Sequence, residues 1–449
     1  MGSYSTVFID PDWQSPYAEA RRGGRVRVYH PDRLMDVANS PSAGVAELVG
    51  DITARLAAFG ERVRRRPLPT LFSTLLKSES IASSMIEGYV TPPRDVLLAE
   101  YAPEIAGRTA GVILGNIRAT RTAVDALGGA WSHETIDSVH HTLLPQLGPG
   151  YRRQRVWIGG RTILHAAFVP PDPAEVEPAM ADLIDYANRG GETVLTKSAV
   201  IHAQFETIHP YIDGNGRAGR ALVHGLLHRS GIITGAVLPI STILKARSDE
   251  YVAALTAYRY DGVSPDQRIA ALDSLVEVFA TATDDAITVA ERLYADTEAV
   301  EQRWRECLAD VRRDALAHRI LALLPDHPVL ASDVVATKTG GSPAAISGAL
   351  DTLVDRGILQ PARGRYRRMS LYVASELLNL LVTAERASAS VDLDTSISGP
   401  RLDRPAAPEP LELRCGLWMP RKRAYCVLPA GHGGRCRSAR APGTGDSVA

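Results

Sequence analysis

His209-Pro-Tyr-Ile-Asp-Gly-Asn-Gly-Arg-Ala-Gly-Arg220 is the segment from which the rest of the chain can be read. Asp213-Gly214 and Asn215-Gly216 are two turn dipeptides in succession, both tolerant of positive φ. Upstream, Ile201, Phe205 and Ile208 mark the buried face of a helix that Pro210 interrupts. Downstream, a new helix starts near Arg217 and runs to Ser230, where Gly231 can cap it. The loop between them offers successive backbone N–H groups at a helix N-terminus, which is an anion site. Arg217 and Arg220, three apart on one helix face, add two bidentate phosphate donors. Asp213 is a carboxylate suited to Mg²⁺, which takes one or two protein carboxylates together with phosphate oxygens. His209, ending the first helix, has the ordinary basicity of a general base. Any one of these features is commonplace: His-Pro marks helix ends, Asn-Gly marks turns, and paired arginines are mostly solvated. Their joint occurrence within twelve residues describes phosphoryl or nucleotidyl transfer. Tyr211 reads as an aromatic pin that fixes the loop to the core.

Composition sets the frame around this loop. At roughly 100–200 residues per domain, 449 residues suggest two to four domains. A hydrophobic fraction of 45% excludes a disordered or collagen-like chain. Fifty basic against fifty-one acidic residues leave a formal charge of −1, so any basic patch is local. Lys77, Lys197, Lys245, Lys338 and Lys422 are the only lysines, a bias that reads as codon usage. Four cysteines in this length exclude a disulfide framework. With no secretory signal and no apolar run near the ~18 residues of a membrane span, the expectation is a soluble, cytoplasmic protein with no membrane partner.

The organisation reads as mainly α. Residues 1–110 form an N-terminal region, irregular at first, with helices from about Val45 to Arg65 and over 71–86, the latter stopped by Gly88 and Pro92-Pro93. Residues 111–262 form the core, with helices near 112–127, 133–145 and 174–189. A short β-hairpin is expected from Arg155 to Pro171 around Gly159-Gly160. Residues 263–317 read as a helical linker with Ile269, Leu272, Val276 and Phe279 on one stripe. Residues 318–386 read as a winged helix whose basic wing tip is Arg363-Gly-Arg-Tyr-Arg-Arg368. Its third helix carries Asp351 and Asp355, so DNA and protein are equally open as partners. Residues 387–449 read as a flexible basic tail. In it, Cys415, Cys426, His432 and Cys436 form a candidate Zn²⁺ set, without any Cys-x₂-Cys knuckle.

The loop resembles the signature of the Fic (filamentation induced by cAMP) family, His-x-Phe-x-Asp/Glu-Gly-Asn-Gly-Arg-x-x-Arg, with Tyr211 in place of Phe. Ile201-His-Ala-Gln-Phe-Glu-Thr-Ile208 is similar to the family's preceding helix. The hairpin with Phe168 and Val169 looks like the flap that aligns a target side chain, and the resemblance spans roughly residues 30–262. It implies an all-helical Fic domain with a small hairpin flap. The implied activity uses ATP with Mg²⁺ to transfer AMP to a Tyr, Thr or Ser hydroxyl of a target protein. On this resemblance His209 deprotonates the hydroxyl and Asp213 holds the metal. Gly214, Asn215 and Gly216 seat the phosphates, while Arg217 and Arg220 stabilise the leaving pyrophosphate. Phosphorylating relatives depart within the Gly-Asn-Gly that this chain keeps.

Ser83-Ser-Met-Ile-Glu87-Gly88 resembles the family's inhibitory motif, Ser/Thr-x-x-x-Glu-Gly/Asn. The resemblance implies that Glu87 pairs with Arg220 and repels the γ-phosphate, an inhibition in cis. Read alone, a Glu at a helix C-terminus sits badly against the helix dipole. Two rival readings stand beside AMP transfer. One is a de-AMPylating or other nucleotidyl-transferring enzyme of the same kind. The other is a nucleotide-sensing DNA-binding regulator, against which the intact His209 argues. Self-modification and a homo-oligomer are both compatible with the chain.

Overall fold

The computed structural model describes residues 2–37, 39–101, 103–262, 264–362, 370–389, 418–419 and 424–425. Two compact units divide the chain, Met1–Val391 and Asp392–Ala449. The first opens with an antiparallel ribbon, β1 (Gly2–Ile9) with β2 (Gly24–Pro31), paired from Gly2↔Pro31 to Ile9↔Gly24. This corrects the expectation of an irregular start. In β2 the exposed Arg25 and Arg27 alternate with buried Val26 and Val28, the period-two pattern of a half-covered strand.

Helices build the rest. α1 (Ala43–Arg65) buries Val49, Ile52, Leu56, Phe59 and Val63 along one stripe. α2 (Pro69–Ile86) starts with Pro69 preset at its first turn. It is buried on every side, although Ser73, Lys77, Ser78, Glu79, Ser80, Ser83 and Ser84 are polar. The sequence continues through α3 (Pro93–Leu98), α4 (Pro103–Ala126, kinked at Gly107), α5 (His133–Leu143), α6 (Pro173–Asn188) and α7 (Val194–Ile208). Then come α8 (Asn215–Arg229), α9 (Ile240–Ala246), α10 (Ser248–Tyr258) and α11 (Pro265–Cys307). α2 packs against α4, α8, α9 and α11, so it is a central strut, and its polar groups must find partners there. The segment expected as a linker is largely α11, whose Leu272, Leu275, Phe279, Ala286 and Leu293 are buried against α1, α7, α9 and α10.

Where a hairpin flap was expected, a single antiparallel bridge joins Ile158 and Phe168, closed by a 3₁₀ turn at Ile163–His165. The strand after it turns to β2 instead: Tyr29 N–H donates to Val169 O at 3.0 Å. Val26, Val28 and Val169 share an apolar cluster, so the N-terminal ribbon is the flap's bracket.

Beyond α11, α12 (Leu316–Leu321), β3 (Val329–Ala331), α13 (Ser332–Thr339), α14 (Pro343–Asp355), β4 (Gln360–Pro361) and β5 (Leu371–Val373) form a small module with sheet order β3-β5-β4. α15 (Ser375–Ala389) follows and packs back onto α2 and α11. The basic tip Arg363–Arg368 lies outside the described residues. In the second unit β6 (Trp418–Met419) pairs antiparallel with β7 (Ala424–Tyr425). Cys415, Cys426, His432 and Cys436 lie outside the described residues. Among the described residues no helix is long and apolar enough to cross a membrane.

Candidate active site

α7 ends at His209, which is the one non-glycine with positive φ (51°) among the described residues. A left-handed conformation costs a non-glycine residue about 1–2 kcal/mol, so its surroundings must hold it there. They do so from both sides. His209 N–H donates to Phe205 O at 2.8 Å, and its carbonyl accepts from Arg152 Nε at 2.8 Å. Arg152, which the sequence reading passed over, also donates to Pro171 O (2.6 Å), Gln154 O (3.0 Å) and Ile208 O (3.3 Å). It thereby ties the flap strand to the loop. Nothing in its local sequence marks it, because all four acceptors are main-chain carbonyls.

The loop is closed by its own side chains. Asn215 Oδ1 accepts from Tyr211 N–H and its Nδ2 donates to Tyr211 O, both at 2.9 Å. The Asn215 amide is therefore a clasp that closes the loop on Tyr211. Tyr211, as expected, is a pin: it stacks on His140 with ring centroids 3.5 Å apart and planes 1° from parallel. His140 Nε2 in turn donates to Asp213 O at 2.9 Å. Gly214 has φ 81°, and a Cβ there would lie 2.8 Å from Leu144 Cδ1, so the turn needs glycine on both counts.

Donors without acceptors collect at the start of α8. No side chain caps its first turn. Arg217 is 1% exposed, its Nε and Nη1 have no hydrogen-bond partner, and its nearest carboxylate, Asp213 Oδ1, is 3.6 Å from Nη2. Each buried, unsatisfied donor costs about 1–3 kcal/mol, more when charged, and an anion would relieve it. Asp213 is 56% exposed at the side chain and gives Oδ1 to Gly214 N–H (2.6 Å), leaving Oδ2 for a metal. One exposed carboxylate beside an anion site fits Mg²⁺ shared with phosphate. Among the described residues no group of three or more His, Cys, Asp or Glu is arranged to hold a metal unaided.

Arg220 is occupied. Its Nε donates to Ser83 Oγ (2.9 Å), and its Nη2 donates to Ser83 O and Glu87 Oε1 (2.8 Å each). The structure thus brings Ser83, Glu87 and Arg220 together across α2 and α8. Burial raises the Glu87 carboxyl, but the charge and hydrogen bond of Arg220 outweigh it and hold the pKa below the usual carboxylate value. Gly216 faces this pair so closely that a Cβ would fall 2.0 Å from Glu87 Oε1. Gly88 adopts φ 85°, which turns the chain away after Glu87.

Burial pulls His209 down to about 4, so its imidazole is neutral near pH 7. Nδ1 faces Glu206 O at 3.4 Å and Glu206 Oε2 at 3.8 Å, which leaves Nε2 as the free nitrogen. Glu206 itself is pushed up to about 7, by burial first and by Glu87 second. Phe168 and Val169, read by resemblance as part of a flap that aligns a target side chain, turn their own side chains inward. They are 6% and 4% exposed, with Phe168 under the Arg259 guanidinium at 3.9 Å and packed on Tyr29. The large apolar side chains that reach solvent on the flap and loop are Trp157 (41%) and Ile212 (51%).

Residues 130–227 match the sequence profile described as the Fic/DOC family. Over 132 residues, 25% of the chain, the sequence is 28% identical to a probable protein adenylyltransferase of Aquifex aeolicus (strain VF5), covering 40% of that protein. It is 29% identical over 164 residues, 35% of the chain, to the protein adenylyltransferase Fic of Drosophila willistoni, covering 30% of it. Against the protein adenylyltransferase fic-1 of Caenorhabditis elegans it is 32% identical over 93 residues, covering 20% of the chain and 18% of that protein. The chain therefore spans less than half the length of these curated relatives. A Fic family protein from Desulfovibrio desulfuricans G20 has a similar solved structure, with a TM-score of 0.45 and 19% identity, covering 74% of this chain and 98% of that one. The chain carries a Fic/DOC domain, and the loop from His209 to Arg220 lies near the C-terminal end of the matched segment.

Proposed function

We propose that this protein is an adenylyltransferase that moves AMP from ATP to a hydroxyl side chain of a target protein and is restrained in cis by Glu87. The observation that carries this is the pairing of an unsatisfied Arg217 and an uncapped α8 with a neutral His209 at the other end of the same loop. Arg217 and the N–H groups of the first turn take phosphate oxygens, ending the cost of their unmet donors. His209, held by Arg152 and Phe205, accepts the hydroxyl proton at Nε2. The hydroxyl oxygen bonds to the α-phosphorus, the bond from that phosphorus to the α–β bridging oxygen breaks, and pyrophosphate leaves. The triphosphate's negative charge raises the basicity of the buried imidazole as it binds. Asp213 would hold Mg²⁺, which when bound neutralises phosphate charge. Most of the catalysis is position and preorganised charge.

Glu87 opposes this. Its carboxylate sits on Arg220, where a terminal phosphate would need that guanidinium, and a like charge there costs several kcal/mol once desolvated. A second reading, removal of AMP, draws on the side chain of Glu87 being 36% exposed yet held ionised, so that it can orient a water. The C-terminal module is read as a winged helix that contacts protein, since α14 exposes Asp351 and Asp355, which repel a phosphate backbone.

The test is incorporation of α-labelled ATP into a cell lysate by the wild type, Glu87→Gly, and Glu87→Gly combined with His209→Ala. Label should appear with Glu87→Gly and vanish with the double variant. Equal label in all three, or none in any, overturns the reading.

A further inference from the structure

We propose that a cavity on the far half of α2 binds a small organic anion with an apolar body, and that its occupancy adjusts the helix bearing Glu87. The cavity has a volume of 440 Å³ and lies between α2, α3, α4 and the turn at 326–329. None of its lining residues belongs to the loop from His209 to Arg220. Its size is that of small-molecule sites, about 300–1,000 Å³.

The charge inventory selects the ligand. Lys77, Arg118 and Arg121 line the cavity against two carboxylates, Glu100 and Asp326. Arg121 is answered by Asp326 at 3.1 Å, and Glu100 lies 3.4 Å from His327 Nδ1. Lys77 is 7% exposed and its ammonium meets only neutral oxygens, Ser73 Oγ and Pro325 O. Arg118 stands exposed on the wall; it has no hydrogen bond or close ion pair among the described residues, and its charge acts on Glu100. Burial pulls Lys77 down to about 8, although the charges of Asp326 and Glu100 act against it. A positive excess thus remains on one side of the cavity. Leu76, Leu97, Leu114, Ile117 and Val329 supply apolar walls, which a bare inorganic anion would leave uncovered.

The site also has a lever. Ser73, Leu76 and Lys77 belong to α2, whose other end holds Ser83 and Glu87 on Arg220. Lys77 and Glu87 are ten residues apart, about 15 Å along the helix at 1.5 Å per residue. An anion that draws Lys77 off Pro325 O changes how α2 is tethered to the C-terminal module. Binding is independent of the proposed AMP transfer; only its effect on Glu87 rests on that reading.

Calorimetric titration of the full chain with phenyl phosphate tests the site, with phenol and inorganic phosphate as the apolar and anionic halves of the probe. In an Arg217→Ala background, which removes the phosphate contact proposed at α8, saturable binding of phenyl phosphate is expected, weakened at least tenfold by adding Arg118→Ala or Lys77→Met. Phenol and inorganic phosphate should each bind at least tenfold more weakly. Arg118 is exposed, so its variant keeps the test open if Lys77→Met fails to fold. Absence of saturable binding, or binding that depends on Arg217 and not on Arg118, overturns the proposal. So does either half-probe binding as tightly as the whole. For the lever, phenyl phosphate should change AMP incorporation by the wild type and leave Glu87→Gly unaffected; an equal change in both removes the lever and leaves the site.

Discussion

Arg152 Nε lies 2.8 Å from the carbonyl oxygen of His209, the residue that the loop holds in a left-handed conformation. The same guanidinium is 4% exposed, and burial, its largest influence, pulls it down to about 10. A buried Arg that spends its donors on four carbonyls is holding backbone, here the flap and the catalytic loop at once. Arg152→Lys keeps the charge and loses the fork. In the Glu87→Gly background it should lower kcat by about 10²-fold while KM for ATP moves less than about threefold, because the proposed phosphate contacts are on Arg217 and α8. Arg152→Met should cost about 3–5 kcal/mol by leaving those carbonyls without their donor. A kcat that falls only in proportion to the folded fraction would mean that Arg152 serves the fold alone.

One turn along α2 from Ser83, Glu79 makes the next rung to α8. Its carboxylate lies 2.9 Å from His224 Nε2 and accepts from Ser241 N–H at 2.8 Å and from the Ser241 hydroxyl. Glu79 and His224 are 1% and 3% exposed, so loss of Glu79 strands His224 in a dry site, whereas loss of His224 leaves Glu79 held by Ser241 alone. Glu79→Ala should destabilise by about 3–5 kcal/mol. His224→Phe, which fills the space but drops the rung, should loosen α2 and raise AMP incorporation above wild type. Denaturant melts and labelled-ATP incorporation check the pair. Silent AMP transfer in a folded His224→Phe protein would separate this rung from the hold on Glu87.

These rungs also mark what the sequence could and could not reveal. The loop was legible because its turn dipeptides, arginines and terminal His carry local signatures, and Ser83 and Glu87 share a spacing that repeats on one helix face. Periodicity placed α2, α4 to α6 and, of the stripe expected on α11, the buried Leu272, Val276 and Phe279, while Ile269 is exposed. It could not say that α11 lies in the core, since a stripe does not name what covers it. Glu79, His224 and Arg152 stayed hidden because their partners are distant in sequence or are plain carbonyls. The β1–β2 ribbon was missed for a related reason: Val26 and Val28 show the alternation, but β1 gains its register only by pairing. The burial of Phe168 and Val169 was not legible either, because the bracket formed by β2 was not foreseen.

Stability should depend on pH in two opposed ways. His209, pulled from 6.5 to about 4 by burial, refuses a proton that the unfolded chain accepts, so stability falls as pH drops from 6.5 towards 4. Glu206, pushed from 4.5 to about 7 by burial, keeps a proton that the unfolded chain has lost. Its contribution is therefore lost as pH rises from 4.5 to 7. His209→Ala should flatten the acid limb of the Tm profile. Glu206→Gln should raise Tm at pH 8 and change it little at pH 4.5. Above pH 7 the ionised Glu206, 3.8 Å from His209 Nδ1, favours the imidazolium formed during transfer. AMP incorporation should accordingly climb through pH 7, and a Glu206→Gln protein with the same climb would place that titration elsewhere.

Gly216→Ala tests the hold on Arg220 without altering either charged partner. The new Cβ would fall 2.0 Å from Glu87 Oε1 and 3.1 Å from Arg220 Nη1. Gly216 sits within α8, with helical backbone that alanine accepts, so the methyl must displace Glu87, which is the more exposed of the two side chains. Moving a carboxylate even 1–2 Å from its guanidinium forfeits the charge-assisted hydrogen bond, roughly 1.5–3 kcal/mol in a partly buried pair. The variant should therefore show AMP incorporation between the wild type and Glu87→Gly, and adding Glu87→Gly should bring no more than the difference. If Gly216→Ala is as silent as the wild type, and Glu87→Gly is silenced by it as well, the methyl blocks phosphate at α8 before it disturbs Glu87. Close packing at Gly216 would then serve the nucleotide rather than the brake.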